Sequence, residues 1–271
     1  MRINTLTFSP TGTSRKIAQA ISAGISLPEG IITDVTHVEA CDVLFAEDEL
    51  LLVSVPVYGG HVAPLALKRM ERIKGNGTPA IAVVVYGNRH YEKALTELFD
   101  FLNSHGFNVI GAGTFIGEHS YSTPQTPIAP GRPNSEDLAF AKNFGSRIRA
   151  KVLNVTHTTS VDVTNIEQPQ QDADVMLRFK QTVAGWMNEG KPMPKCPTTD
   201  MALCTECGIC AKLCPTGAIS PNSPSSTDAN KCIKCCACIK GCYQGARQMN
   251  TPFAQLITAN FSVQKENKIL L

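Results

Sequence analysis

The sequence predicts two parts, an α/β domain with a five-stranded sheet and a small cysteine-rich domain. From residue 1 to about residue 153, short apolar runs alternate with longer segments of helical period, which is typical of parallel strands joined by crossover helices. Ten of the eleven cysteines lie beyond residue 195, so the second part differs sharply in composition. We therefore divide the 271 residues into an α/β domain at 1–153, a linker with a short helix at 154–195, a cysteine-rich domain at 196–251 and a C-terminal tail at 252–271.

The predicted elements of the α/β domain follow from where apolar residues recur. Two runs, Leu50 to Val55 and Ile81 to Val85, are apolar enough to form strands buried on both faces. The other predicted strands are Ile3 to Phe8, Ile31 to Val38 and Phe107 to Phe115. Helices are predicted after residue 14 with Ile17, Ala20 and Ile21 on one face, at Pro64 to Ile73, at Tyr91 to His105, and from Ser135, which we expect to be the cap.

The segment between the two domains is predicted to be mostly connection. Residues 154–172 are polar and poor in large apolar side chains. Apolar residues then recur at helical spacing at Val175, Phe179, Val183 and Trp186, which predicts a short amphipathic helix. The tail is expected to carry a strand.

Eight cysteines form two copies of the spacing C-x2-C-x2-C-x3-C. This spacing is typical of iron–sulfur cluster binding, because two intervening residues let successive thiolates reach neighbouring corners of one small cube. Two rival explanations are weaker. An odd number of cysteines and the lack of a signal peptide disfavour disulfides. Structural zinc sites pair two C-x-x-C knuckles across a long gap, whereas here three cysteines follow in one run.

The fourth cysteine of each run is expected to ligate the other run's cluster, because it sits too far round the turn to join its own. One [4Fe–4S] cluster then takes Cys204, Cys207, Cys210 and Cys242, and the other takes Cys214, Cys232, Cys235 and Cys238. The runs also form an internal repeat, in which CTECGICAKLCPTGA matches CIKCCACIKGCYQGA. Cys41, Cys196 and Cys236 fall outside the spacing and are expected to be semi-buried packing residues, while a shifted register that recruits Cys236 stays open.

A hydroxyl-rich stretch follows the first predicted strand and precedes an amphipathic helix. It contains Ser9, Thr11, Gly12, Thr13 and Ser14 in the pattern S-x-T-G-x-[ST]. Backbone N–H groups and hydroxyls in such a stretch can surround an oxyanion at the positive end of the helix. Because the lysine of a P-loop is missing, the stretch suits one phosphate monoester better than a nucleoside triphosphate.

Two further loops follow later strands and combine glycine with tyrosine. They contain Pro56, Val57, Tyr58, Gly59, Gly60 and His61 and, after the next strand, Tyr86, Gly87, Asn88, Arg89, His90 and Tyr91. Glycine lets the backbone approach a flat ring and tyrosine can stack on it, so both loops are candidate walls of a flavin site. The alternative is that the glycines only turn the chain and the tyrosines cap the sheet. Three such loops at one sheet edge favour a ligand site.

These motifs resemble two known families. The first-loop pattern resembles that of flavodoxins, which implies a sheet order of 2-1-3-4-5, FMN phosphate at residues 9–14, and the isoalloxazine between residues 56–61 and 86–91. The cysteine half resembles the bacterial two-cluster ferredoxins, although Tyr243 replaces the usual proline after the last cysteine. In this order the halves resemble the fused ferredoxin/flavodoxin proteins of anaerobic bacteria and archaea. The resemblance implies two [4Fe–4S] clusters and FMN as cofactors.

Together these features predict an electron-transfer iron–sulfur flavoprotein. We expect an oxidoreductase that takes electrons from redox partner proteins and reduces a small acceptor, a quinone or another flavin. The alternative is a relay module that docks to a redox enzyme and has no small substrate of its own. A DNA-binding redox sensor is disfavoured, since no basic face or recognition helix is evident.

Composition limits the partners and the cellular location that we expect. The net charge of +2, without runs of like charge, predicts no nucleic-acid partner. No apolar stretch approaches the roughly 20 residues that a membrane-spanning helix needs. We therefore expect a cytoplasmic protein, and the sequence leaves its oligomeric state open, a homodimer included.

Overall fold

The computed structural model describes residues 1–154 and 159–271. They form two compact units, and the chain passes between them four times. The first unit comprises Met1–Glu118, Gly131–Gln168 and Glu266–Leu271, and the second comprises His119–Pro130 and Pro169–Lys265. The predicted boundaries at residues 153, 195 and 251 stay predictions, since the units interleave along the chain. Residues 155–158 of the predicted linker lie outside the described residues.

Strands and helices are interspersed through the first half of the chain, and short elements follow in the second half. In order, they are β1 (Ile3–Thr7), α1 (Thr13–Ile25), β2 (Glu29–Asp34), β3 (Val43–Phe45), β4 (Leu50–Tyr58), β5 (His61–Val62), α2 (Pro64–Met70), β6 (Ile73–Gly75), β7 (Thr78–Tyr86), α3 (Ala94–Ser104), β8 (Phe107–Ile116), α4 (Ser135–Asn154), a 3₁₀ turn (Val163–Asn165), α5 (Ala173–Asn188), β9 (Thr198–Thr199), α6 (Ile209–Lys212), α7 (Ala237–Lys240), β10 (Arg247–Gln248), α8 (Pro252–Asn260) and β11 (Lys268–Leu270).

The first unit is built on a mostly parallel sheet of seven strands. Five strands run parallel in the order β2-β1-β4-β7-β8, which is 2-1-3-4-5 when they are numbered along the chain. β11 pairs antiparallel with β8 at one edge, and β5 pairs antiparallel with β4. The predicted count of five strands is therefore too low. β5 was missed because its two residues are too few to show a period, whereas β11 lies in the tail, for which the sequence predicts a strand.

The core of this unit lies between the sheet and the pair α1 and α4. Ile21 of α1 and Phe144 and Ile148 of α4 join the buried strand residue Leu52 in one apolar cluster. The two helices approach each other so closely that they require glycine. A Cβ on Gly145 would stand 2.1 Å from the carbonyl oxygen of Ile21, closer than real side chains approach backbone.

The start of α4 is held by a buried polar cluster around Asp137. The Asp137 N–H donates to Asn134 Oδ1 at 2.9 Å, and the Asn134 N–H donates to Asp137 Oδ2 at 2.8 Å. Asn134 is thus the cap, and the predicted cap Ser135 is the first helical residue. Asn267 donates to Asp137 at 2.7 Å and accepts from the Ile116 N–H at 2.8 Å. The chain beyond residue 265 is thereby tied to the end of β8.

The second unit has its own small apolar core. Phe179 of α5 and Ile257 and Phe261 at α8 pack with Ile128 from the His119–Pro130 segment. The Phe179 and Phe261 rings pack edge to face, with their centroids 5.2 Å apart. The predicted short helix is longer than expected, with 16 residues, and begins at Ala173. Its N-cap is Asp172, whose carboxylate accepts from two backbone N–H groups. Within the described residues, no helix combines the length and apolarity needed to span a bilayer.

The two cysteine runs follow one repeated backbone path. Left-handed φ angles recur at equivalent positions, which are Glu206 (52°) and Lys234 (55°), Gly208 (73°) and Cys236 (60°), and Gly217 (62°) and Gly245 (65°). The second pair are the N-caps of the short helices α6 and α7. The sequence repeat is therefore also a structural repeat.

Candidate functional site

The eight repeat cysteines line two cavities, and each cavity draws cysteines from both runs. The first, of about 160 Å³, is lined by Cys204, Cys207, Cys210 and Cys242. The second, of about 20 Å³, is lined by Cys214, Cys232, Cys235 and Cys238, together with Cys236. This grouping matches the expected exchange of fourth cysteines between the runs, while ligation itself stays a prediction.

The two cavities differ in their exposure. At the first, Cys207 is exposed, and the neighbouring Tyr243 has 89 % of its surface exposed. At the second, Cys235 and Cys238 are buried. A redox group at the first cavity would therefore lie nearer to solvent than one at the second.

Backbone N–H groups donate to several of these sulfurs. The Ala218 N–H lies 3.2 Å from Cys214 Sγ, and the N–H groups of Ala211 and Ala237 donate to Cys210 and Cys235. Such hydrogen bonds favour the thiolate, which is the form that binds metal. Burial acts in the opposite direction and is the larger effect, raising the pKa of the Cys235 thiol to about 12.

The donor set fits an iron–sulfur cluster better than a single ion. Four thiol groups around a cavity are the ligands that a [4Fe–4S] cluster requires, and the hydrogen bonds to sulfur are among the features that tune its potential. Within residues 1–154 and 159–271, no three His, Cys, Asp or Glu side chains converge closely enough to hold one metal ion. None of the cysteines forms a disulfide in the described chain.

The remaining cysteines differ from one another. Cys236 is buried, has φ of 60°, and its thiol donates to the Lys234 carbonyl at 3.5 Å. Its repeat counterpart is Gly208, so the position demands a left-handed backbone. Cys196 is half-buried, and its thiol lies 3.8 Å from the Thr227 carbonyl. Cys41 is exposed, so the expectation that it would be semi-buried is wrong.

The hydroxyl-rich stretch forms the turn between β1 and α1. Gly12 is the N-cap of α1 with φ of 81°, and it has no side chain with which to cap the helix. The hydroxyl of the buried Ser9 instead accepts from the N–H of Arg15, in the first turn of α1, at 3.0 Å, and the Ser9 N–H donates to Thr36 at 2.8 Å. Ser54 of β4 donates to the Ser14 carbonyl at 3.0 Å. These contacts fix the turn, and Ser9 satisfies one of the N–H groups at the start of α1.

Arg15 is a residue near this turn that the sequence argument missed. Its guanidinium lies 3.7 Å from where a Cβ on Gly12 would stand, and it pairs with Asp34 at 2.9 Å. A cation therefore stands beside the start of α1. The signal is visible in the sequence, since Arg15 directly follows the hydroxyl-rich pattern.

The second predicted loop is a tight hairpin. Pro56, Val57 and Tyr58 end β4, Gly59 and Gly60 make the turn with φ of 64° and 93°, and His61 begins β5. Two positive φ angles are what a two-residue hairpin turn needs, which explains the glycine pair. The back of the turn is packed, because a Cβ on Gly60 would stand 2.7 Å from Glu92. Gly59 has no heavy atom within 4 Å of that position, so the tip is open.

The third predicted loop follows β7 and differs from expectation. Tyr86 and Tyr91 are 2 % and 1 % exposed and pack edge to face at 5.5 Å. Burial is also what raises the pKa of both phenols. The two rings therefore belong to the core and present no free face for stacking. The loop itself carries the ion pair between Arg89 and Glu92, with the buried Asn88 at φ of 63°.

The three loops leave the same edge of the sheet. Thr7 of β1 pairs with Ser54 of β4, and Pro56 of β4 pairs with Val85 of β7, so the carboxyl ends of the three parallel strands are neighbours. In open α/β sheets this is the edge at which ligands bind. The three loops are thus neighbours, as the sequence predicts, although Tyr86 and Tyr91 are buried in the core.

One family model matches part of the cysteine-rich region. Residues 195–220 match the 4Fe–4S binding domain. A search of curated proteins found no match. Among solved structures, a flavodoxin from the domain Archaea aligns over 57 % of this chain and 100 % of its own at 15 % identity, with a TM-score of 0.37. An NADH:FMN oxidoreductase aligns over 59 % of this chain and 94 % of its own at 16 % identity and a TM-score of 0.41. An NAD(P)H:quinone oxidoreductase from Methanothermobacter marburgensis aligns over 58 % of this chain and 98 % of its own, at 12 % identity and a TM-score of 0.33.

The parallel strand order and the family match together describe the chain. A sheet with the order 2-1-3-4-5 is flavodoxin-like. The chain therefore combines a flavodoxin-like α/β fold with a ferredoxin-type 4Fe–4S binding domain.

Proposed function

We propose that this protein is an electron-transfer iron–sulfur flavoprotein that holds two [4Fe–4S] clusters and FMN. The observation that carries the proposal is the distribution of eight cysteines around two cavities, four at each, with one of each four supplied by the other run. When bound, each cluster exchanges single electrons, and FMN exchanges one or two. A fused chain holds these groups at high effective concentration.

The residues for FMN come from the sheet edge described above. The phosphate would bind at the start of α1, beside Thr11, Thr13 and Ser14, where Arg15 adds a positive charge. The ring would lie by the open tip of the hairpin at Gly59 and by residues 87–90. Tyr58, which is half-buried at the end of β4, would pack against the ring. Tyr86 and Tyr91 would support the loop from the core.

Double variants test how the cysteines are shared. If the fourth cysteines exchange, replacing Cys207 and Cys242 together with serine removes one cluster, because both belong to the same one. Replacing Cys235 and Cys242 together removes both clusters. Without exchange, the two outcomes are reversed. Iron and sulfide are quantified in anaerobically purified protein, which should hold about eight irons in the wild type.

FMN binding is tested separately on the same preparations. We expect about one FMN per chain after reconstitution, and all cysteine variants should retain it, since no cysteine of the repeat belongs to the first unit. Four irons or fewer in intact wild-type protein, or no bound flavin, would contradict the proposal.

For the direction of electron flow, we propose that electrons from a partner protein reduce a small acceptor, a quinone or a flavin. A second function, relay to a partner enzyme, is favoured by one observation. Met201 and Leu203 are exposed apolar residues just before Cys204, and Tyr243 is exposed beside Cys242. Such a surface suits protein docking. Steady turnover of quinone without any acceptor protein would favour the enzyme.

The free cysteines suit a reducing compartment, and we propose the cytoplasm.

A further inference from the structure

Arg247 places a buried positive charge between the two cysteine sites of the second unit. It lies on β10 and is 3 % exposed. Its side chain lines the first cavity, beside Cys210 and Cys242. Its Nη2 also reaches Cys238 Sγ of the second cavity at 3.9 Å. The Arg247 side chain therefore lies against residues of both cysteine sites.

The guanidinium is held in place by neutral acceptors. Nη1 donates to Thr199 Oγ1 at 2.7 Å and to the Ser225 and Pro224 carbonyls at 3.3 and 3.4 Å, and Nη2 donates to Thr227 Oγ1. Nε has no hydrogen-bond partner among the described residues. Within the same residues, no carboxylate forms an ion pair with Arg247.

A buried arginine without a counter-charge is costly, and natural proteins avoid it. Cys210 at the first site and Cys238 at the second are groups near Arg247 that can become anionic. A cluster with four thiolate ligands carries net negative charge, which would supply the missing partner.

We propose that Arg247 is the shared counter-charge of the two clusters, which raises the reduction potential of both. The inference rests on the proposed two-cluster function. Arg247 directly follows Gly245 and Ala246, which form the GA element at the end of the second run.

The sign of the effect follows from electrostatics. Reduction adds negative charge to a cluster, and a nearby buried cation stabilises the reduced form more than the oxidised form. Removing the cation therefore lowers both potentials. We expect at least a tenfold fall in the equilibrium constant for reduction of each cluster, which is about 59 mV for a one-electron couple.

The test uses the full chain, purified anaerobically, with three variants. Arg247→Met keeps the aliphatic stem and removes the charge. Arg247→Lys keeps the charge and should leave both potentials nearer to wild type. Lys212→Met removes an exposed cation between Cys210 and Cys214 and should shift potentials little, because solvent screens it. Potentials are measured by redox titration followed by EPR.

The outcomes separate the two hypotheses. Iron content of four or fewer in the wild type overturns the proposed function and this inference with it. If Arg247→Met holds about eight irons and its potentials do not move, or only one moves, this inference alone is overturned. A second measurement covers the case in which Arg247→Met loses iron. In wild type labelled with ¹⁵N-arginine, pulsed EPR of the reduced clusters should detect a nitrogen coupling that Arg247→Lys lacks, and its absence overturns the inference.

Discussion

Gly12 offers a sharp test of the phosphate site, because its replacement changes backbone preference without crowding. Its φ of 81° lies in the left-handed region, and a Cβ would meet only the Arg15 side chain, at an ordinary contact distance of 3.7 Å. The cost of Gly12→Ala is therefore conformational and amounts to about 1–2 kcal/mol. If the turn relaxes to relieve that strain, the N–H groups at the start of α1 no longer point toward the phosphate. We expect FMN affinity to fall about tenfold, which corresponds to about 1.4 kcal/mol.

Gly77 provides a matched control for this variant. It has φ of 71°, no heavy atom within 4 Å of a Cβ, and a place just before β7, at the sheet edge opposite to the loops. Gly77→Ala should therefore cost similar stability and leave FMN binding unchanged. Urea unfolding gives the stability change, and titration of the flavin-free protein gives the affinity. Riboflavin, which lacks the phosphate, should bind wild type and Gly12→Ala almost equally.

Two results would refute this reasoning. One is equal loss of FMN affinity in Gly12→Ala and Gly77→Ala, which would make the effect a general loss of stability. The other is an equal loss of riboflavin and FMN affinity in Gly12→Ala, which would place the damage at the ring and not at the phosphate.

Three further predictions concern other parts of the chain. Cys236→Gly should keep the full iron content and change stability little, because relief of the left-handed φ, worth about 1 kcal/mol, is offset by loss of the buried Cys236 side chain. Loss of iron would make Cys236 a ligand. Burial raises the pKa of Asp137, but hydrogen bonds from Arg132 and the Asn134 backbone outweigh it and hold the pKa below its usual value. Its contribution to stability is thus present at neutral pH and lost as pH falls through the folded-state pKa, so Asp137→Asn should flatten the acid side of the stability curve below about pH 4. Gly145→Ala should lose about 2 kcal/mol or more in unfolding experiments, because its Cβ meets backbone at 2.1 Å.

The sequence predicted best those features that repeat or have a strong period. The buried strands around Leu52 and Val83 form continuous apolar runs, and both lie at the centre of the sheet. The grouping of the cysteines also followed from spacing alone, because a short loop limits which sulfurs can converge. In these cases local geometry leaves few alternatives.

The failures have a common cause, which is that tertiary contacts decided between equivalent local choices. Asn134 and Ser135 are both good caps, and Asp137 decides in favour of the first through two hydrogen bonds. Tyr86 could have faced a ligand or the core, and packing against Tyr91 places it in the core. Arg247 had no sequence signal, since a single arginine after a repeat resembles any surface cation. Only its burial reveals it.

The interleaving of the two units bears on how the protein can be divided. The segment His119–Pro130 comes directly after β8 of the first unit, yet Ile128 packs with Phe179 and Phe261 in the second. In turn, β11 is separated along the chain from the rest of the first unit by Pro169–Lys265, and it covers the edge of β8. A cut at residue 153 would leave residues 119–130 without their apolar partners and β8 with an open edge, which favours association with other chains. Each unit therefore needs segments on both sides of such a cut, so the cofactor tests above belong on the intact chain.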